Sequence, residues 1–359
     1  MSKEAIGMIF QRPKRLLRLV PIGVAIALLA GCTPSHNMST FDTSGPVAET
    51  QLGLFYIIFW VGLAVFILVM ALMIYGSIRY RRKAGDGDPP QIHGHAKLEI
   101  AWTAAPALVL AVVAVPSIIA IFDTSNSPVT RAEGGLAVEA VGHQWWFEFN
   151  YPDLDVTTAN ELHIPVGEPI NILLESVDVI HSFWVPKLAG KVDMVPNNHN
   201  TMWFQADEPG EYFGQCAEFC GISHAKMMFR VIAESRAEFE AWIEAQKLPE
   251  VEPTDPLAVQ GRDIFMDRDR LCFRCHTISG TRLARGVLGP DLTHFGSRGR
   301  FAGGTREITQ ANLREWLEDP DKVKPGNLMS EQAEVYTGVL PPLTEPEISA
   351  LVAYLMGLK

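Results

Sequence analysis

The sequence predicts a multidomain membrane protein built from a two-helix transmembrane hairpin, an all-β Greek-key sandwich and a small all-α domain. Three observations carry this reading. Leu52–Ile78 and Ile100–Phe122 contain no charged residue, and each is long enough to cross the roughly 30 Å of bilayer hydrocarbon, which takes about 20 helical residues. Between Leu136 and Glu234 the apolar residues fall in short or alternating runs broken by Pro and Gly, the spacing of a sandwich or barrel and not of βαβ units. Beyond Pro256 the apolar period becomes helical. At 359 residues and 48% hydrophobic content the chain exceeds one ordinary domain.

The first module, residues 1–31, has Arg12, Lys14, Arg15 and Arg18 ahead of an apolar run from Leu19, the layout of an export signal too short to span. Leu29-Ala30-Gly31-Cys32 resembles the lipobox of bacterial lipoproteins, which implies cleavage before Cys32 and lipidation of its thiol. An uncleaved signal or a buried free cysteine is the alternative. An exported segment, 32–51, leads to the hairpin, 52–122. Arg79, Arg81, Arg82, Lys83 and Lys97 make the connecting loop cationic, so it stays cytoplasmic and everything after Phe122 is exported. Pro106 and Pro116 remove backbone hydrogen bonds and kink the second helix, as neighbouring helices permit. A hairpin with so little membrane mass is expected to dock on a larger membrane partner. Glu99, His93 and His95 sit at its cytoplasmic edge, the histidines read as interfacial polar residues.

Residues 123–247 form the sandwich, with strands expected over Leu136–Val141, Glu161–Ile164, Ile170–Leu174 and Thr201–Ala206. Within it Cys216, Glu218, Cys220, His224 and Met227 fall inside twelve positions, and His181 precedes Cys216 by thirty-five. Thiolate, imidazole and a weak thioether suit copper electron transfer, whereas structural zinc takes thiolates and imidazoles without methionine. A single-copper site needs one cysteine. Two cysteines spaced by three residues can each bridge a pair of copper ions, and sharing one electron hole over two metals reduces the bond-length change per electron. One ligand from an early loop and the rest from a loop between late strands lets a rigid sandwich hold the ions with little rearrangement. The alternative is an exported disulfide between Cys216 and Cys220.

A proline- and acid-rich connection, 248–256, reads as a semi-rigid linker. In the all-α module, 257–359, helices are expected before Cys272, over Gln310–Glu318 and from Thr344, where Thr344 and Glu347 form a capping-box pattern and Ile348, Leu351, Val352 and Leu355 share one face. Cys272-Phe-Arg-Cys275-His276 is the attachment motif of a c-type haem: two thioether bonds and an axial His276 nitrogen. For the second axial ligand Met329, in the loop Lys324-Pro-Gly-Asn-Leu-Met329, is favoured over Met266 and Met356, which read as packing residues. Zinc binding or thiol redox chemistry is the alternative for the motif. His294 has no comparable motif and reads as a surface or supporting residue. The five cysteines are thereby all assigned, with no pair left for a structural disulfide.

Residues 123–250 hold seven basic and twenty acidic side chains, a net charge of −13, whereas 255–359 hold thirteen and fourteen. The acidic sandwich repels nucleic acid and attracts a basic electron donor. A fused second carrier at high effective concentration weakens the need for such a donor to dock there.

From Gln51 to Glu234 the chain resembles subunit II of cytochrome c oxidase, through Lys97-Leu-Glu-Ile-Ala-Trp, Gly142-His-Gln-Trp-Trp, Asp178-Val-Ile-His-Ser-Phe-Trp-Val-Pro and the whole loop 215–227; the last module looks like a class I cytochrome c. The resemblance implies a cupredoxin sandwich with a binuclear CuA centre, held by the side chains of His181, Cys216, Cys220, His224 and Met227 and the backbone carbonyl of Glu218. It also implies that the Glu218 carboxylate shares a magnesium ion with subunit I, that Trp145 admits electrons, and that Glu99 lies at the mouth of a proton path. Electrons would run from a donor, cytochrome c or a cytochrome bc complex, through haem c and CuA to subunit I, which reduces oxygen to water with proton translocation; subunit III is a further expected neighbour. The chain itself makes no bond to oxygen and is an electron carrier within an oxidoreductase. Quinol-oxidising relatives lack the copper cysteines, which argues against direct quinol use. A relay serving a nitric or nitrous oxide reductase, or a copper-delivery module, is the rival reading, and the oxidase-like hairpin discriminates against both. The location implied is the bacterial inner membrane, with both redox modules on its outer face.

Overall fold

A computed structural model describes residues 36–359; Cys32 and the export-signal reading lie outside the described residues. Helix α1, Pro46–Arg79, opens with Pro in its first turn, where the missing N–H has no intrahelical partner to lose. It starts ahead of the apolar stretch because its first turn is sewn to the sandwich: Ser44 N donates to Lys187 O at 2.8 Å, Asp207 N to Ser44 O at 2.9 Å and Ala48 N to Leu188 O at 3.2 Å. Beyond that turn its large apolar side chains, such as Trp60, Phe66 and Leu72, are exposed all round, as lipid contact requires. Helix α2, Ala96–Ser125, returns antiparallel to it and runs unbroken through Pro106 and Pro116. His95 is its N-cap: Nδ1 accepts from Leu98 N at 3.3 Å while Glu99 Oε1 accepts from His95 N at 3.1 Å. The two side chains satisfy backbone donors that a helix start leaves unpaired.

The sandwich packs two five-stranded sheets. Its strands are β1 Leu136–His143, β2 Trp146–Tyr151, β3 Val156–Ala159, β4 Glu161–Pro165, β5 Ile170–Ser176, β6 His181–Trp184, β7 Val192–Met194, β8 Asn200–Phe204, β9 Gly210–Cys216 and β10 Met228–Glu234. One sheet has the order β3-β2-β1-β5-β8 and the other β4-β10-β9-β6-β7. Alternation along β1 and β5, parallel with Ala140 opposite Leu174, turns one side chain in two toward a core centred on Phe147, Phe149, Phe183 and Phe229. The Phe183 and Phe229 rings lie 4.6 Å apart and Phe147 and Phe229 4.7 Å; each fully buried ring contributes about 1.5–3 kcal/mol of transfer free energy. This core fixes the end of β9, which carries Cys216, and the loop to β10, which carries Cys220. Helix α3, Arg236–Gln246, closes the domain behind a Ser235/Glu238 capping box.

The C-terminal module comprises α4 Pro256–Phe265, a two-stranded ribbon of β11 Arg300–Phe301 and β12 Arg306–Glu307, α5 Gln310–Glu318, short turns α6 Pro320–Val323, α7 Leu328–Gln332 and α8 Glu334–Thr337, and α9 Glu345–Gly357. The expected face of α9 is buried, with Ile348, Leu351, Val352 and Leu355 all in the core and Met266 and Met356 packed at its edge. The linker is tied down by side-chain anchors. His294 Nε2 lies 3.1 Å from Gln246 O and 3.0 Å from Leu248 O, and the Glu250 carboxylate takes Arg262 at 2.7 Å and Tyr354 Oη at 2.5 Å. His294, read from sequence as a surface or supporting residue, is buried and grips the connector.

Candidate metal and haem sites

Strand β6 presents His181 from one side, and the end of β9 with the β9–β10 loop presents the remaining soft donors from the other. Cys216 Sγ lies 3.7 Å from Cys220 Sγ, 3.9 Å from His181 Nδ1 and 3.2 Å from Glu218 O. Cys220 Sγ lies 3.6 Å from His224 Nδ1 and 3.9 Å from Met227 Sδ. Every residue expected at the copper site is thus gathered around two unbonded sulfurs, and His181 and Met227 are fully buried. Hydrogen bonding to Cys220 lowers the Cys216 pKa against burial, and the same bond raises that of Cys220. A buried thiolate beside an imidazole, a thioether and a carbonyl fits a soft cation. The carboxylate of Asp178 accepts from His181 Nε2 at 2.7 Å, leaving Nδ1 for the ion. Burial opposes charge on both groups, but their mutual hydrogen bond, together with Cys216 beside the imidazole and the Val179 and Gln144 amides on the carboxylate, outweighs it, raising His181 and lowering Asp178. Gln144 Nε2 and Trp145 Nε1 both donate to Cys220 O, at 2.7 and 3.0 Å.

The second site is a cavity of about 360 Å³ lined by Cys272, Cys275, His276, Met329 and Arg298, among others. Among the described residues all four cysteines are unpaired. His276 Nδ1 is engaged by Pro290 O at 2.9 Å, which leaves Nε2 as its ligand nitrogen, and burial holds the ring neutral. Burial pushes the Cys272 thiol up to about 12, which disfavours its thiolate form. Arg298 donates to Asp291 O at 2.7 Å while its buried Nε has no partner. A cationic donor orphaned on the wall of an apolar cavity calls for an anion such as a haem propionate; the donor set and this orphan fit haem. Arg298 has no sequence motif that would have marked it.

Trp145 lines this same cavity and is only 6% exposed, because the C-terminal module covers it. Glu218 is half-buried beside the cysteines, whereas Glu99 lies in the first turn of α2, at the loop end of the hairpin.

A two-helix anchor, a soft-donor cluster on a β-sandwich and a haem-sized cavity in a helical module define a membrane-bound electron-transfer protein. Family models match in three places: "Cytochrome C oxidase subunit II, transmembrane domain" over residues 34–119, "Cytochrome C oxidase subunit II, periplasmic domain" over 154–234, and "Cytochrome c" over 258–359. Cytochrome c oxidase subunit 2 of Alkalihalophilus pseudofirmus is 39% identical over 350 residues, 96% of this chain and 98% of the relative. That of Bacillus subtilis is 35% identical over 359 residues, 96% of each. Quinol oxidase subunit 2 of Bacillus spizizenii, 34% identical, matches 66% of this chain and 73% of its own length. The chain belongs to the cytochrome c oxidase subunit 2 family, in the form that carries a C-terminal cytochrome c domain. It is a membrane-anchored subunit of a haem-copper terminal oxidase, an oxidoreductase complex that includes subunit I, and its domains imply CuA copper, haem and electron transfer to the oxidase.

Proposed function

We propose that the chain takes electrons from a cytochrome c or a cytochrome bc complex on its C-terminal domain and delivers them from its sandwich domain to subunit I, where oxygen is reduced to water with proton translocation by the complex. Cys272 and Cys275 would hold haem c covalently, His276 and Met329 would supply its ligand atoms, and Arg298 would meet a propionate. His181, Cys216, Cys220, His224, Met227 and the Glu218 carbonyl hold the binuclear copper centre. When bound, these groups supply the one-electron chemistry. Trp145 is the residue through which electrons reach the copper loop. The Glu218 carboxylate shares a magnesium ion with subunit I, and Glu99 opens a proton path. The chain is exported on a signal, 1–31, lipidated at Cys32 and seated in the bacterial inner membrane beside subunits I and III, its modules partitioned as 32–51, 52–122, 123–247, 248–256 and 257–359.

The observation that best supports this reading is the position of Trp145, whose indole bonds Cys220 O while its ring lines the cavity of His276 and Met329. Optical and paramagnetic resonance spectroscopy of the purified, loaded full-length chain tests it. A low-spin haem c together with a mixed-valence copper pair is expected, and a loaded chain with a single copper, or none, overturns it.

A further inference from the structure

Two segments of the C-terminal domain lie directly on the copper domain. In the first, Glu161 Oε1 accepts from Gly299 N at 2.8 Å and Arg300 N at 3.0 Å, and Gly303 O accepts from Met228 N at 2.8 Å. In the second, Val323 O accepts from Lys226 Nζ at 2.6 Å and Pro325 O from Ser223 Oγ at 2.6 Å. Both segments approach too closely for a side chain: Gly303 (φ +68°) and Gly326 (φ +73°) are left-handed, and a Cβ would stand 2.7 Å from Trp145 O on the former and 2.8 Å from Ile222 Cγ2 on the latter. Only glycine adopts such backbone at no steric cost.

Lys324 joins the two segments. It is 3% exposed; its Nζ donates to Trp145 O across the interface and to Ala302 O at 3.3 Å in its own domain. Among the described residues no carboxylate pairs with it, and burial pulls its pKa down to about 7. A buried amine without a carboxylate partner is costly, so its place between two carbonyls from different domains calls for a reason beyond packing.

We propose that Lys324, with Gly303 and Gly326, locks the haem-bearing domain onto the copper domain, making Trp145 an internal relay closed to outside donors and Lys324 the positioning residue for transfer between the two centres. This rests on the functional reading above. One electron leaves the group held by His276 and Met329, which is oxidised, and reduces the pair held by Cys216 and Cys220; no bond is made or broken and no proton moves. A donor therefore reaches the copper pair only through the C-terminal domain, and the transfer is a fixed-geometry step, not a diffusional encounter of tethered domains.

The test uses the full-length, loaded oxidase and compares wild type with Lys324→Met and with Ser223→Ala, a milder cut at the same interface. Two readouts are followed: deuterium exchange at the amides of Met228, Gly299 and Arg300, and the rate of transfer between the two centres as a function of solvent viscosity. In wild type the amides are protected and the rate ignores viscosity. In both variants the haem and copper spectra persist and the amides lose protection. In Lys324→Met the rate falls by on the order of tenfold or more, as a displaced redox geometry implies, and becomes viscosity-dependent. A wild-type chain lacking copper or haem overturns the functional reading; loaded variants that keep wild-type protection and rate overturn the lock.

Discussion

Asp178 Oδ1 sits 2.7 Å from His181 Nε2 while His181 Nδ1 faces the Cys216 sulfur at 3.9 Å, so one imidazole is clamped between a carboxylate and the soft-donor cluster. The same carboxylate accepts from Gln144 N at 2.7 Å, which ties the β1–β2 turn carrying Trp145 to the imidazole.

Asp178→Asn removes the charge that orients the ring and raises its basicity. Copper affinity, measured by chelator competition, should fall by about 10–100-fold, with haem loading unchanged.

Cys220→Ser replaces the sulfur that lies beside His224, Met227 and Cys216. A hydroxyl does not bridge two copper ions as a thiolate does, so the mixed-valence resonance should vanish while the haem c spectrum persists. An unchanged resonance would remove Cys220 from the ligand set.

Met329→Leu keeps the apolar volume on the cavity wall and deletes the thioether. The low-spin haem spectrum should change and the haem potential should drop, because methionine ligation raises it; redox titration of the variant checks both. A spectrum identical to wild type would assign the axial role elsewhere.

Glu347 caps α9 through Thr344 N at 2.8 Å and Thr344 Oγ1 at 2.7 Å, and pairs with Arg270 at 2.6 Å. Burial opposes its charge, but these bonds prevail and hold its carboxyl below the usual carboxylate value. A depressed pKa contributes stability that is full above the unfolded-state value of about 4.3 and is lost as pH falls through the folded-state value. Glu347→Gln should therefore cost about 1 kcal/mol near neutral pH. In thermal melts of the haem absorbance, the gap from wild type should close as the solution is acidified below that range.

The copper loop was legible because its donors are contiguous: from Cys216 to Met227 the chemistry is written in residue types and spacing alone. The same holds for Cys272, Cys275 and His276, and for α9, whose capping box and apolar face are local patterns. The supporting residues were not legible, because their partners are distant in sequence. Arg298 reads as one more surface arginine until the cavity leaves its Nε without a partner. Lys324 lies in a Pro-Gly loop, where lysine ordinarily faces water, and only the docking of two domains buries it. For Trp145 the sequence pointed to an electron-transfer role but not to its cover, since that cover is supplied from 179 positions away.

The grip of His294 and Glu250 on the connector has a mechanical corollary. A loosely tethered carrier would sweep a volume set by the contour length of its leash, and that length would govern how often it met its acceptor. Here the leash is fastened down along its course, so its contour length does not set the direction in which the haem cavity faces: the two anchors act together with the contacts of Glu161, Ser223 and Lys324 across the interface.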